Sequence, residues 1–239
     1  MKSYFINNGP VILHILEEGT PKPDKPSLLV VNGLWESAER AIPLLSGLDG
    51  HVITFSFRGR GLSSTPETGY GLEDHLSDIA AIVQYCGLRQ YAMLGFSRGA
   101  SYALGWVLHH QQEVSKLILV DQPPVHRSFT PEAVNFWIEF TYQNVPVLNH
   151  IRREALHGLG REAKFVDYTS DLGRLTLPVA LFVGGRKEGD IPSNISEETL
   201  CLYKESLPDL TVKEFPHAGH MIPDEDLDTY ILEITDFLA

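Results

Sequence analysis

The stretch Tyr91-Ala92-Met93-Leu94-Gly95-Phe96-Ser97-Arg98-Gly99-Ala100 decides the architecture. Four apolar residues stop at a glycine, and a helical pattern follows from Ala100 to His109. Between them lies G-x-S-x-G. A serine in that setting stands on a sharp strand-to-helix turn with its hydroxyl clear of the sheet. The flanking glycines let neighbouring backbone pass where a Cβ would collide. The pattern alone is weak in a chain with 20 glycines; its meaning comes from the buried strand before it and the helix after it. That context makes Ser97 a candidate nucleophile, against the plainer reading of a structural turn with an idle serine.

Working outward, short apolar runs end at turn residues. Leu28-Leu29-Val30-Val31 stops at Asn32-Gly33, and Val52-Ile53-Thr54-Phe55 runs into Arg58-Gly59-Arg60-Gly61. Leu117-Ile118-Leu119-Val120 stops at Asp121, and Val179 to Val183 at Gly184-Gly185. Such runs read as strands buried on both faces, the mark of a parallel sheet. Helical patterns separate them: Glu73 to Cys86, with apolar residues at 76, 79, 80, 83 and 86, then Ser196 to Leu207 and Asp226 to Leu238. At the N-terminus, Tyr4-Phe5-Ile6 and Val11 to Leu16 flank Asn7-Asn8-Gly9-Pro10, a hairpin signal. Strands alternating with helices predict an α/β fold with helices on both faces. From Gln122 to Leu177 the rhythm breaks into an aromatic, helical segment containing Phe136, Trp137 and Phe140. An insertion at a strand's C-terminal end is well placed to cover a site.

A serine nucleophile needs a base, an acid behind it and an oxyanion hole. His220 lies in Phe215-Pro216-His217-Ala218-Gly219-His220-Met221, between the strand-like Leu210 to Phe215 and the last helix. Position and chain order prefer it to His217. Three carboxylates compete for the acid: Asp121, which ends the strand before the insertion, and Glu188 and Asp190, in the loop after the next strand. For the oxyanion hole, one backbone N–H comes from the residue after the nucleophile, Arg98, and the other from the loop Asn32-Gly33-Leu34-Trp35, with Leu34 as donor.

Composition narrows the function classes. The net charge is −12, and the basic residues are scattered through 239 residues. An acidic chain of this kind repels nucleic acid and anionic membrane surfaces. Cys86 and Cys201 make no disulfide framework, and no signal-peptide core or apolar stretch of about 20 residues occurs. A cytoplasmic protein acting on a small molecule is the expectation. No phosphate-binding glycine loop and no metal-ligand spacing appears, so no metal and no cofactor is implied.

Five segments in order give the chain its resemblance. Leu29-Val30-Val31-Asn32-Gly33, Ser56-Phe57-Arg58-Gly59-Arg60-Gly61-Leu62-Ser63, Leu94 to Ala100, Leu177 to Gly185 followed by Glu188 and Pro192, and Ala218-Gly219-His220-Met221 are similar to segments of the α/β-hydrolase superfamily. The likeness runs to its small esterases and lactonases. It implies one α/β-hydrolase domain over residues 1–239 with an eight-stranded, mostly parallel sheet, and residues 122–177 as an inserted helical cap. It further implies the order Ser97, Glu188, His220 for nucleophile, acid and base, Glu188 being selected over Asp190 because it precedes Pro192 by four. Asn32 and Ser56 depart from the family's usual His and Asp. The implied reaction is hydrolysis of a small ester or lactone through an acyl-enzyme. Read from the residues themselves, Trp35, Phe136, Trp137 and Phe140 are candidates to line an apolar pocket, against packing of the cap onto the body, and Arg98 is a candidate cation for an anionic substrate, against a salt bridge to the acidic surface. The same constellation also serves C–C bond hydrolysis, lyase or acyl-transfer chemistry, or a binding protein without turnover.

Overall fold

A computed structural model describes residues 1–188 and 191–239. Eight strands form one sheet: β1 (Lys2–Asn8), β2 (Val11–Glu18), β3 (Ser27–Val31), β4 (Val52–Ser56), β5 (Tyr91–Phe96), β6 (Val114–Val120), β7 (Val179–Gly184) and β8 (Leu210–Phe215), in the order β1-β2-β4-β3-β5-β6-β7-β8. The hairpin β1–β2 is antiparallel, turns through Gly9 at φ +58°, and joins β4 antiparallel; every pairing from β4 to β8 is parallel. The residues of β4, β5 and β7 are all buried, as continuous apolar runs predict. The edge strand β8 carries Lys213 and Glu214 at half-buried and exposed positions, which discourages further strand addition.

Side-chain alternation divides the apolar residues between two faces. Leu29, Val31 and Met93 pack with α2 (Leu72–Tyr85), α3 (Arg98–His110) and Tyr203 of α6 (Glu197–Ser206). Leu28, Val30, Ala92 and Leu94 pack with α1 (Ile42–Gly47) and α8 (Leu227–Leu238). The family fold expected from the sequence, helices on both faces of a mostly parallel eight-stranded sheet, is what the chain adopts.

Between β6 and β7 run α4 (Pro131–Glu139) and α5 (Arg153–Glu162). Thr130 caps α4, its hydroxyl accepting from the Ala133 N–H at 3.2 Å. Two ladders of two-residue strands complete the segment: Val125–His126 with Val166–Asp167, and Thr141–Tyr142 with Val145–Pro146 around Gln143 and Asn144, both at positive φ. The segment is tied to the loop after β4. Gly61 N–H donates to His150 O (2.8 Å), Arg152 N–H to Gly59 O (2.8 Å), and Glu162 accepts from the Gly69 and Tyr70 N–H groups (2.7 and 2.8 Å). Val134, Ile151, Leu156 and Leu159 are buried in the same apolar cluster as Leu34 and Trp35.

That loop is held in turn by a buried ion pair. Arg58 donates Nε and Nη2 to the two oxygens of Asp78 on α2, at 2.9 and 2.7 Å, and Nη1 to Gly69 O. Asp78 is inaccessible to solvent. Removing one partner strands the other charge. Asp78→Ala is expected to cost about 3–5 kcal/mol in urea denaturation; a cost under 1 kcal/mol would show that the pair does not anchor the loop.

Candidate active site

The turn from β5 into α3 leaves no room for side chains beside Ser97. A Cβ on Gly95 would lie 2.5 Å from Ala100 Cα, and one on Gly99 would lie 2.1 Å from Val31 O and 2.5 Å from Asn32 O. Ser97 itself sits at φ 54°, ψ −128°, in a region L-residues rarely occupy. Its N–H donates to Val120 O and its carbonyl accepts from Ala100 N–H, which fixes the strained residue at both ends.

Ser97 Oγ lies 2.8 Å from His220 Nε2, and His220 Nδ1 lies 2.8 Å from Asp121 Oδ2. The histidine ring stacks on Phe96, with centroids 5.4 Å apart, and the backbone N–H of His220 donates to Ile191 O. His217 is exposed.

The carboxylate against His220 is therefore Asp121 and not Glu188. Glu188 is exposed in the loop after β7, and Asp190 lies outside the described residues. The reason is where the strands end. Asp121 follows β6 directly, and its φ of 48° turns the side chain toward the histidine loop, whereas Glu188 stands four residues beyond β7. Asp121 is fully buried and every neighbour donates to it: Ser193 Oγ (2.6 Å) and Gly184 N–H (3.0 Å) to Oδ1, Asn194 N–H (2.8 Å) and His220 to Oδ2. Burial alone would push this carboxyl up; the His220 contact and the Ser193 and Asn194 donors outweigh it and hold it below the usual carboxylate range. Ser193 and Asn194 escaped the sequence reading, although they sit in the loop searched for the acid and serve it from there.

Leu34 and Arg98 both stand beside Ser97. Arg98 is the first residue of α3, where a helix leaves its N–H without an intrahelical partner. Leu34 stands in the loop after β3, brought close because Gly33 lacks a side chain: a Cβ there would be 3.3 Å from Ser97 Cβ. Asn32 braces the loop from below, donating Nδ2 to Thr54 Oγ1 (2.7 Å) and Phe55 O (3.0 Å), and Arg60 Nε donates to Leu34 O (3.0 Å). Ser56 accepts from the Ala38 N–H at 2.8 Å. The two departures from the usual His and Asp are thus filled by residues that support the same loop.

Other expectations need correction. The Arg98 side chain is no substrate cation. It is buried, with Nε donating to Tyr102 Oη (3.0 Å), Nη1 to Arg127 O (2.9 Å) and Nη2 to His126 Nε2 (3.0 Å), and it lies over the Phe129 ring. Burial and the Arg98 charge push His126 down to about 3, so it stays neutral and accepts that bond. Of the aromatic residues, Trp35 and Trp137 line the cavity at Ser97, whereas Phe136 and Phe140 do not. Phe136 stands on α4 and is exposed, and it stacks on Phe140, which follows the end of that helix in extended conformation.

A family model described as the alpha/beta hydrolase fold matches residues 26–200. This chain belongs to that family. It is 28% identical over 242 residues to N-formylmaleamate deformylase from Pseudomonas putida, covering 83% of this chain and 88% of that protein. It is 22% identical over 269 residues to 2-(acetamidomethylene)succinate hydrolase from Mesorhizobium japonicum, covering 98% and 94%. The crystal structure of an enol-lactonase from Burkholderia xenovorans shares the fold with a TM-score of 0.79 at 16% identity, over 98% of this chain and 99% of that one. No helix among the described residues of this hydrolase-family chain is long and apolar enough to cross a membrane.

The two rival acids separate by mutation. Asp121→Asn keeps the shape but leaves His220 with the wrong tautomer, and should lower turnover roughly 10⁴-fold. Glu188→Gln should change it by less than about twofold, in line with an exposed loop charge. The reverse ranking in a kcat assay would return the acid to Glu188.

Proposed function

We propose that this protein is a serine hydrolase that cleaves a small, uncharged carboxylic ester or lactone through an acyl-enzyme. The reading is carried by the hydrogen-bonded run from Ser97 through His220 to Asp121, set at a cavity of about 120 Å³. Ser97 Oγ attacks the acyl carbon while His220 Nε2 takes its proton. Asp121, ionised and holding Nδ1–H, favours the imidazolium that results. The negative charge on the carbonyl oxygen is met by the Leu34 and Arg98 N–H groups. Collapse breaks the bond to the leaving oxygen, which receives the proton from His220. A water then repeats the sequence on the acyl-enzyme and frees the acid.

The cavity argues for a small and uncharged acyl portion. It is small beside the ~300–1,000 Å³ of ordinary ligand pockets. Leu34, Trp35, Phe96, Trp137, Ile191 and Met221 supply apolar walls. Its only titratable side chains among the described residues are Glu36 and His220, so a substrate carboxylate would meet no arginine or lysine there. A second reading, cleavage of an N-acyl bond by the same steps, is favoured by the names of the two relatives, which specify formyl and acetamido compounds bearing carboxylates.

The first test needs no knowledge of the substrate. A fluorophosphonate phosphonylates an activated serine with loss of fluoride. Intact-mass analysis should show one adduct on the wild type, none on Ser97→Ala and a slowed reaction on His220→Ala. Absence of an adduct on folded wild type would overturn the hydrolase reading. Neutral esters and lactones against carboxylate-bearing N-acyl amides then decide between the two readings. Removing the Trp137 wall should alter preference among acyl groups differing by one or two methylenes by roughly tenfold, with the melting temperature lowered by only a few degrees. Unchanged preference would make Trp137 a packing residue.

A further inference from the structure

Glu36 lies in the loop after β3, two residues past Leu34, and only 8% of it is exposed. It lines the cavity that holds Ser97 and His220, and also a neighbouring cavity of about 200 Å³ bounded by Arg40, Asp224 and Leu227. Gly33 is what brings it close. A Cβ on that glycine would be 3.3 Å from Ser97 Cβ and 3.4 Å from Glu36 Cγ, so the side chains of Ser97 and Glu36 pass on either side of the same point. Glu36 Oε2 accepts from Arg40 Nε at 2.7 Å. Oε1 is buried and has no hydrogen-bond partner among the described residues.

We propose that Glu36 is a further catalytic residue of this site that works in its protonated form. Oε1–H donates a hydrogen bond to an acceptor oxygen of the bound substrate, and the uncharged carboxyl keeps a second negative charge away from the oxyanion as it develops. The proposal rests on the serine-hydrolase reading above.

Three features support protonation. Arg40 compensates only one oxygen of a buried carboxylate and leaves the other bare, whereas a carboxyl with its proton on Oε1 needs only an acceptor, which a substrate provides. Arg40 is shared: its Nη2 pairs with Asp224 on the short helix α7 (Ile222–Glu225), so one guanidinium serves two acids. Burial first, and the Asp224 charge second, raise Glu36 against the pull of Arg40, to about 7. The groups that face it are Arg40 from its own loop, Asp224 from α7, Tyr230 from α8 and His220 across the cavity; Val30, Leu94 and Phe96 close the sheet side with apolar surface. Tyr142 acts on Arg40 and Asp224 instead.

A group needed in its neutral form, with a raised pKa, contributes below that pKa and is lost as pH rises through it. Glu36 adds an alkaline limb. The rate of Ser97 phosphonylation and kcat/KM for 4-nitrophenyl acetate should both fall by roughly tenfold between pH 6.5 and 8.5, the scale of one lost hydrogen bond at a buried site. Glu36→Gln, whose amide donates but does not ionise, should lack that limb. Asp224→Asn removes the second charge and should move the limb to lower pH, which tests the idea even if Glu36→Gln does not fold. Glu36→Ala should run below Glu36→Gln at every pH, which a merely structural carboxyl does not require of a folded variant. If Ser97 is phosphonylated and the alkaline limb is absent from wild type, or survives in Glu36→Gln, the proposal is overturned while the hydrolase reading stands. If Ser97 is not phosphonylated, the hydrolase reading fails first and takes this one with it.

Discussion

The approach of α3 to the end of β3 is the constraint on which the rest depends. Gly99 lets the first turn of the helix sit against the carbonyls of Val31 and Asn32, at a distance no Cβ would survive. That single contact brings the loop carrying Gly33, Leu34 and Glu36 over the serine. It also obliges the chain to hold Ser97 in a strained backbone conformation, because strand and helix must meet within one residue. Strain of this kind costs on the order of 1–3 kcal/mol and persists only where the surroundings over-determine it. Here they do: Val120 and Ala100 bind the serine's own backbone groups, and the two-faced core closes around them.

Much of the frame was legible because its signals are local. Fully buried strands read as unbroken apolar runs, the amphipathic period of α2 gave that helix, and Asn8-Gly9-Pro10 marked the hairpin. Ser97 and His220 were legible for a similar reason, since each stands at the C-terminal end of a strand in a motif with its own shape. The two-residue ladders inside 122–177 were not, because two residues are too few to show a period of two.

The acid shows where such reading stops. β6 and β7 are neighbours, and the histidine loop can be served from the end of either. Choosing between Asp121 and Glu188 needs the direction in which the backbone leaves each strand. In Asp121 that direction is a left-handed turn, tolerated by an aspartate and invisible in composition or spacing. Arg98 was misread for a related reason. A cation next to a nucleophile in sequence points away from it on a helix, and here toward Tyr102 one turn on and His126 in the insertion. Glu36 carried no motif at all; only its burial beside the serine singles it out.

The insertion enters the reaction space through Trp137 but hangs from the body by backbone bonds to Gly59, Gly61, Gly69 and Tyr70. None of those anchors touches Ser97, His220 or Asp121. A further anchor does reach the site: the Arg98 side chain holds Arg127 O and His126, while its own backbone follows directly on Ser97. A change in this segment therefore reaches Ser97 by two routes, one through the Trp137 wall and one through the backbone of Arg98.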